Sequence, residues 1–170
     1  MKKQLLLFVM MLLPMVAIAY DAQINGIYYN FSGNEATVTY QSWGAHPVPG
    51  NGNAGHSDYA GRIIIPETVS YNGIEYSVTS IGRDAFFGSA GLTGVSIPNS
   101  VKTIGERAFC YCTSLTDVNI PNTIKSIEWA TFSGCSSLNN VSIPNSVRSI
   151  EEYTFSLRTL YNDKTSFSLP

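Results

Sequence analysis

Charged residues are scarce in this sequence. Lys and Arg number ten and Asp and Glu twelve among 170 residues, 13% together, which is about half the share usual in soluble domains. Because the two signs nearly balance, the chain has no basic excess to attract the phosphates of nucleic acid. Hydrophobic residues reach 44%, enough to build a core. The composition therefore predicts one folded domain without a nucleic-acid partner.

Cysteine and histidine are also scarce. Three cysteines, Cys110, Cys112 and Cys135, allow one internal disulfide at most, and Cys112 and Cys135 are spaced to be neighbours in a repeat. We expect instead that they are small buried apolar residues. The two histidines, His46 and His56, have no carboxylate or thiol at ligand spacing, so we expect neither a metal nor a cofactor.

Only one long hydrophobic run is present, at the N-terminus. Two lysines precede an apolar run over residues 5–17, and small residues, Ala17 and Ala19, follow at the spacing that signal peptidase recognises. The run is shorter than the ~20 residues that span a bilayer, so a membrane anchor is the less favoured alternative. The pattern predicts a signal peptide over residues 1–19 and an exported chain, secreted or at the cell surface, without a membrane span after cleavage.

A repeat of 23 residues organises most of the remaining chain. The positions that recur at this interval are Ile81, Ile104, Ile127 and Ile150, then Phe86, Phe109, Phe132 and Phe155, then Leu92, Leu115 and Leu138, then Val95, Val118 and Val141, then Ile97, Ile120 and Ile143. Each unit is predicted to contain a short strand and a short helical or irregular return segment. Stacked units bury the apolar positions together and pair their strands in parallel, which predicts a solenoid.

The repeat carries a family resemblance. The pattern I-G-x-x-A-F-x-x-C-x-x-L-x-x-V-x-I-P-N-x-V-x-x is complete in residues 104–126 and nearly complete in residues 127–149. It closely resembles the BspA-like leucine-rich repeats of bacterial surface proteins, over about residues 59–170. The resemblance implies a leucine-rich repeat fold in a secreted or cell-surface protein that binds host or microbial partners in the manner of an adhesin.

Both ends of the repeat region depart from the pattern. Before it, residues 24–31 and 36–40 are predicted to form a β-hairpin that caps the solenoid, followed by a mobile Gly/Pro/Asn-rich loop over residues 44–55. The predicted parts are thus the signal peptide, a cap and loop over residues 20–58, and a solenoid over residues 59–170. The last repeat is incomplete, which suggests a fragment of a longer protein, or a frayed last coil that self-associates.

Candidate binding residues are expected on the exposed side of the strands and beside it. The strand-face candidates are Asp117, Asn119, Asn140 and Ser142, in line with Arg62, Ile64, Gly94 and Ser96. The others are a positive stripe formed by Lys102, Lys125 and Arg148, and a single aromatic residue, Trp129. A solvated surface is the alternative for the strand face and the stripe, and packing against the neighbouring coil is the alternative for Trp129.

No nucleophile elbow, phosphate-binding glycine loop or metalloprotease helix occurs in the sequence. We therefore expect a non-enzymatic protein that functions in adhesion or recognition of an extracellular protein or glycan. The alternative is a passive spacer, or a truncated remnant of a larger surface protein, with no ligand of its own.

Overall fold

The structure, a computed structural model, describes residues 19–45, 53–139 and 141–156. The predicted signal peptide, except Ala19, and the irregular last repeat beyond residue 156 lie outside these ranges. Within the described ranges no helix is long and apolar enough to cross a bilayer.

The described residues form β-strands that are joined by turns. The strands are β1 (Ala22–Ile24), β2 (Ile27–Ser32), β3 (Glu35–Thr39), β4 (Ser42–Ala45), β5 (Asn53–His56), β6 (Ala60–Ile64), β7 (Thr68–Tyr71), β8 (Ile74–Ile81), β9 (Gly91–Ser96), β10 (Thr103–Ile104), β11 (Asp117–Asn119), β12 (Ser126–Ile127) and β13 (Ser149–Ile150). One sheet has the order β1-β2-β3-β8-β10, with β7 also on β8, and a second has the order β11-β9-β6. Two further pairs are β12-β13 and β4-β5.

Strands one repeat apart pair in parallel, as the sequence predicts. Val118 of β11 pairs with Val95 of β9, and Ile104 of β10 pairs with Ile81 of β8. Ile127 of β12 pairs with Ile150 of β13 in the same way. The paired strands form two rows, a first that contains β6, β9 and β11 and a second that contains β8, β10, β12 and β13.

The N-terminal strands extend the second row. β2 and β3 form an antiparallel hairpin, and β3 then pairs in parallel with β8, on the strand where β10 also pairs in parallel. The predicted strand over residues 24–31 is wrong in one respect, because Asn25 and Gly26 break it into β1 and β2. Both have positive φ, 51° and 82°, as a tight Asn-Gly hairpin turn requires.

The prediction of a mobile loop over residues 44–55 is also partly wrong. Its two ends are antiparallel strands, with Ala45 of β4 paired to Asn53 of β5. Residues 46–52, which include His46, lie outside the described ranges.

The return segments are successive tight turns, and none of the described residues is helical. The N–H groups of Asp84, Phe86 and Gly88 donate to carbonyls of the next coil at 2.8 to 3.1 Å, whereas those of Ala85 and Phe87 donate three residues back. This alternation satisfies the backbone without a helix. The predicted helical turn is therefore wrong, and the irregular alternative is right.

The turns hold residues in the left-handed region at two repeating positions. The first position is Asp84, Arg107, Ala130 and Tyr153, with φ between 53° and 60°, and the second is Gly88, Tyr111 and Gly134. This conformation costs a non-glycine residue about 1–2 kcal/mol. The hydrogen bonds between coils offset that cost, since the N–H groups of Asp84, Arg107 and Ala130 each donate to the following coil.

A column of phenylalanines forms the centre of the core. The rings of Phe86, Phe109, Phe132 and Phe155 stack nearly parallel, with centroid separations of 5.0, 5.3 and 5.6 Å along the column. Phe86 and Phe109 are fully buried and Phe132 is 2% exposed. Buried aliphatic residues of both strand rows surround the column.

The three cysteines are buried free thiols, as predicted. The Sγ atoms of Cys112 and Cys135 each donate to a carbonyl of the preceding coil, Phe86 O and Phe109 O, at 3.0 Å. Burial raises the pKa of Cys110 and of Cys135 to about 12. These thiols therefore stay protonated and unreactive near neutral pH.

Candidate functional site

The first strand row presents an exposed face on β6, β9 and β11. Arg62, Gly94 and Asp117 are aligned across the three strands. Arg62 forms an ion pair with Asp117 across the middle strand. A Cβ atom on Gly94 would lie 3.2 Å from Arg62 Cζ, so the absence of a side chain at Gly94 makes room for the arginine.

This ion pair occupies two of the strand-face residues. Both side chains are more than half exposed, 53% for Arg62 and 56% for Asp117. Exposed pairs contribute about 0–1 kcal/mol, because water and salt screen them. Asp117 therefore lies on the exposed face as predicted, paired with Arg62.

Asn119 uses its side-chain amide to bond another residue of this chain. Its Oδ1 accepts from the main-chain N–H of Ile97 at 2.8 Å, and its Nδ2 donates to the carbonyl of Ile97 at 2.9 Å. Asn119 is an exposed residue at the predicted place. Both polar ends of its amide nevertheless bridge its own coil to the preceding one.

A shallow open groove of about 450 Å³ lies between two successive Ile-Pro-Asn turns. It brings together two predicted residues, Asn119 and Ser142. The full lining is Asn119, Ile120, Asn122, Ser142, Ile143, Pro144 and Asn145. Another predicted residue, Asn140, lies outside the described ranges. The Ile-Pro-Asn triplets are part of the recurring sequence pattern, and their recurrence marks where the groove lies.

The positive stripe lies at the start of the second strand row. Lys102, Lys125 and Arg148 are exposed, and each immediately precedes a strand of that row. Main-chain bonds of 2.8 Å from Lys102 N to Thr79 O and from Arg148 N to Lys125 O keep the coils in register. Within the part of the chain that the structure describes, none of the three cations forms an ion pair.

Trp129 lies in the turn after β12 and is half-buried. Its ring contacts Tyr153 of the next coil edge to face, with centroids 6.2 Å apart at 70°. Its carbonyl accepts from Arg107 N at 3.0 Å. Trp129 therefore packs on the neighbouring coil, and the groove lining comes from other segments.

Parallel strands that pair one repeat apart, over a core of recurring aliphatic and phenyl side chains, define a leucine-rich repeat protein. The BspA type leucine rich repeat region matches residues 66–168 in six copies. The chain belongs to this family, which confirms the resemblance of the repeat pattern.

Solved structures agree. A leucine-rich repeat protein from Bacteroides ovatus ATCC 8483 is 34% identical with a TM-score of 0.68, over 81% of this chain and 33% of that one. A second, from Bacteroides capillosus ATCC 29799, is 31% identical with a TM-score of 0.61, over 77% and 87% of the two chains. A leucine rich cell surface protein from Faecalibacterium prausnitzii A2-165 is 30% identical with a TM-score of 0.57, over 76% and 32%.

This chain thus spans about a third of the Bacteroides ovatus and Faecalibacterium proteins. A comparison with curated proteins found no match.

Proposed function

We propose that this protein is exported and recognises an extracellular protein or glycan through the exposed face of its first strand row, without catalysing a reaction. The groove between the Ile-Pro-Asn turns carries this proposal, because it is a concave polar surface between adjacent coils that includes two predicted binding residues. The description of the Faecalibacterium protein as a cell surface protein supports a location outside the cell.

The coils stack into a solenoid whose N-terminal cap is the β2–β3 hairpin, within residues 20–58. Pairing of β3 with β8 supports this assignment, since it covers the edge that the second strand row would otherwise leave open. Residues 1–19 direct export, and residues 59–170 form the repeat region. A final coil without a cover would make the protein self-associate.

The positive stripe is a second place where a ligand could bind. Its three side chains are exposed and, among the described residues, they lack an ion-pair partner, which favours an anionic group. Three charges produce a weak field that salt screens. Binding at the stripe would therefore weaken steeply as ionic strength rises.

One observation favours the alternative function, a spacer without a ligand. Asp117 and Asn119 use their polar groups to join coils of this chain, to Arg62 and to Ile97. A spacer needs such contacts and nothing more. The groove and the stripe are surfaces that a spacer does not need.

An array of extracellular matrix proteins and glycans tests the proposal, with the chain from Tyr20 onward as the probe. We expect binding to at least one immobilised protein or glycan. Combined Lys102→Glu, Lys125→Glu and Arg148→Glu substitutions test the stripe, and Ser142→Arg, which fills the groove, tests the strand face.

Loss of binding only in the Ser142→Arg variant would place the ligand in the groove. Unchanged binding in both variants would refute both surfaces, and no binding to any ligand would support the spacer. Rapid hydrolysis of any substrate would overturn the non-enzymatic function. Sedimentation over a range of concentrations tests self-association, which a monomer at every concentration would contradict.

A further inference from the structure

Two hydrogen bonds between Asn119 and Ile97 show how the side chain of one coil bonds the main chain of the coil before it. A single side-chain amide contacts both polar groups of one residue, the N–H at 2.8 Å and the carbonyl at 2.9 Å. The N–H and the carbonyl of Ile97 therefore point toward the following coil. Together they form a donor and acceptor pair that fits one edge of a carboxamide.

The main chain around Ile97 recurs one repeat later around Ile120, but the side chain that faces it there is different. Ile120 stands 23 residues after Ile97 and is followed by the same Pro-Asn dipeptide. Each turn closes with an N–H bonded to the carbonyl of the proline, Val101 to Pro98 at 3.2 Å and Ile124 to Pro121 at 3.1 Å. The N–H and carbonyl of Ile120 should thus also point toward the following coil.

The position of Asn119 is held by serine in the coil before and in the coil after, Ser96 and Ser142. Ser96 accepts the N–H of Ile65 with its main-chain carbonyl at 3.0 Å, whereas the structure, which describes both Ile120 and Ser142, has no such bond between them. A serine hydroxyl lies closer to its own main chain than a carboxamide does, and it cannot bond two groups along one edge in the same way. Within the described ranges no hydrogen bond to the N–H or carbonyl of Ile120 is present. Ile120 and Ser142 both line the groove.

The arrangement of the N–H and carbonyl of Ile120 determines which kind of amide group can bond to both. A primary amide presents its oxygen and one N–H on the same edge, as the side chain of Asn119 does. A secondary amide is trans, as in a peptide bond or the acetamido group of a sugar, and presents its N–H and its oxygen on opposite sides. Among single amide groups, only a primary amide can therefore form both bonds with one residue. In proteins, primary amides are the side chains of asparagine and glutamine.

We propose that the main-chain N–H and carbonyl of Ile120 bind the carboxamide of an asparagine or glutamine side chain of a protein ligand, in the groove beside Ser142. This site rests on the proposed recognition function and gives it a protein rather than a glycan as its ligand.

Hydrogen exchange measured by NMR tests the open pair without any ligand. The amide of Ile120 should exchange at least about fivefold faster than that of Ile97, which corresponds to one lost hydrogen bond. The amides of Ile124 and Val101, both bonded in the turns, show whether the two coils are equally stable. Equal protection of Ile120 and Ile97, or equally fast exchange of Ile120 and Ile124, would overturn the assignment.

Titration with acetamide tests the carboxamide. We expect a shift of the Ile120 amide resonance that saturates with acetamide and is absent with acetate, N-methylacetamide and N-acetylglucosamine. Ser142→Asn places a carboxamide where Asn119 has one, so it should protect the Ile120 amide and abolish the acetamide shift. Ser149→Asn, an exposed substitution in the second strand row, is the matched control and should leave both measurements unchanged.

Two results would refute the carboxamide site without contradicting the proposed recognition function. The first is an Ile120 shift that N-methylacetamide or N-acetylglucosamine produces as strongly as acetamide. The second is an acetamide shift that persists in the Ser142→Asn variant. A protein ligand found on the array would still establish recognition, and its loss from the Ser142→Asn variant but not from the Ser149→Asn variant would place it at Ile120.

Discussion

Replacement of Phe109 by alanine tests the stacked core at its centre. The ring is fully buried and lies between Phe86 at 5.0 Å and Phe132 at 5.3 Å, tilted by 5° and 4°. Deletion of a buried phenyl group costs about 3–5 kcal/mol, since it removes apolar burial and leaves a cavity. Each lost ring contact accounts for about 0.5–1.5 kcal/mol of this.

The loss is measurable by urea denaturation followed by circular dichroism. At about 2–4 °C per kcal/mol for a chain of this size, the midpoint of thermal unfolding should fall by about 6–20 °C. Phe109→Leu is the matched control, because it keeps most of the volume and loses both ring contacts, so it should cost about 1.5 kcal/mol. A loss below about 1 kcal/mol for Phe109→Ala would refute the core assignment.

Three further predictions concern the polar and titratable groups. Asn119→Ala should cost about 1–2 kcal/mol in urea denaturation, because two hydrogen bonds to Ile97 are lost, whereas Ser142→Ala should be nearly neutral; equal losses would contradict the difference between the two positions. Iodoacetamide should label the cysteines only when the chain is unfolded, and mass spectrometry showing fast labelling of native Cys112 would refute its burial. Burial holds the pKa of Cys110 and Cys135 at about 12, above the ordinary 9.0, so the unfolded chain loses these protons first. Stability should therefore be complete below pH 9 and fall as pH rises toward 12, and a free energy of unfolding that stays constant over this range would contradict it.

Much of the strand arrangement follows from the spacing of apolar residues. A constant interval of 23 residues places Ile81, Ile104 and Val118 at paired positions whatever the return segment does. The break at Asn25–Gly26 was also available from the sequence, because an Asn-Gly pair is a strong signal for a hairpin turn. The apolar run around it concealed that signal.

The shape of the return segments could not be predicted in this way. The first left-handed position of each turn is filled by Asp84, Arg107, Ala130 and Tyr153, four side chains that share no preference for that conformation. Hydrogen bonds to the neighbouring coil impose it there. A backbone conformation that is stabilised by a hydrogen bond to a residue 22 positions away cannot be predicted from the residues next to it in the sequence.

The candidate site was predictable in its location and not in its chemistry. Alternation of polar and apolar residues places Asp117 and Asn119 on the exposed face, where the structure has them. That Arg62 reaches across Gly94 depends on the register of β6 with β9, which includes an irregularity between Gly61 and Arg62. The sequence of one repeat cannot predict that register, because the register relates strands of two different coils.

The contrast between Asn119 and Ser142 shows where a repeat protein can acquire a ligand. The repeat position of Asn119 holds serine one coil earlier and one coil later, at Ser96 and Ser142, and only the asparagine bonds both main-chain groups of the preceding coil with its side chain. Ser142, the next residue at this position, makes no such contact, and the groove lies there beside Ile120. Ligand binding in this chain should therefore concentrate at variable polar positions whose side chain leaves main-chain groups of the preceding coil unbonded, while the apolar positions that recur hold the coils together.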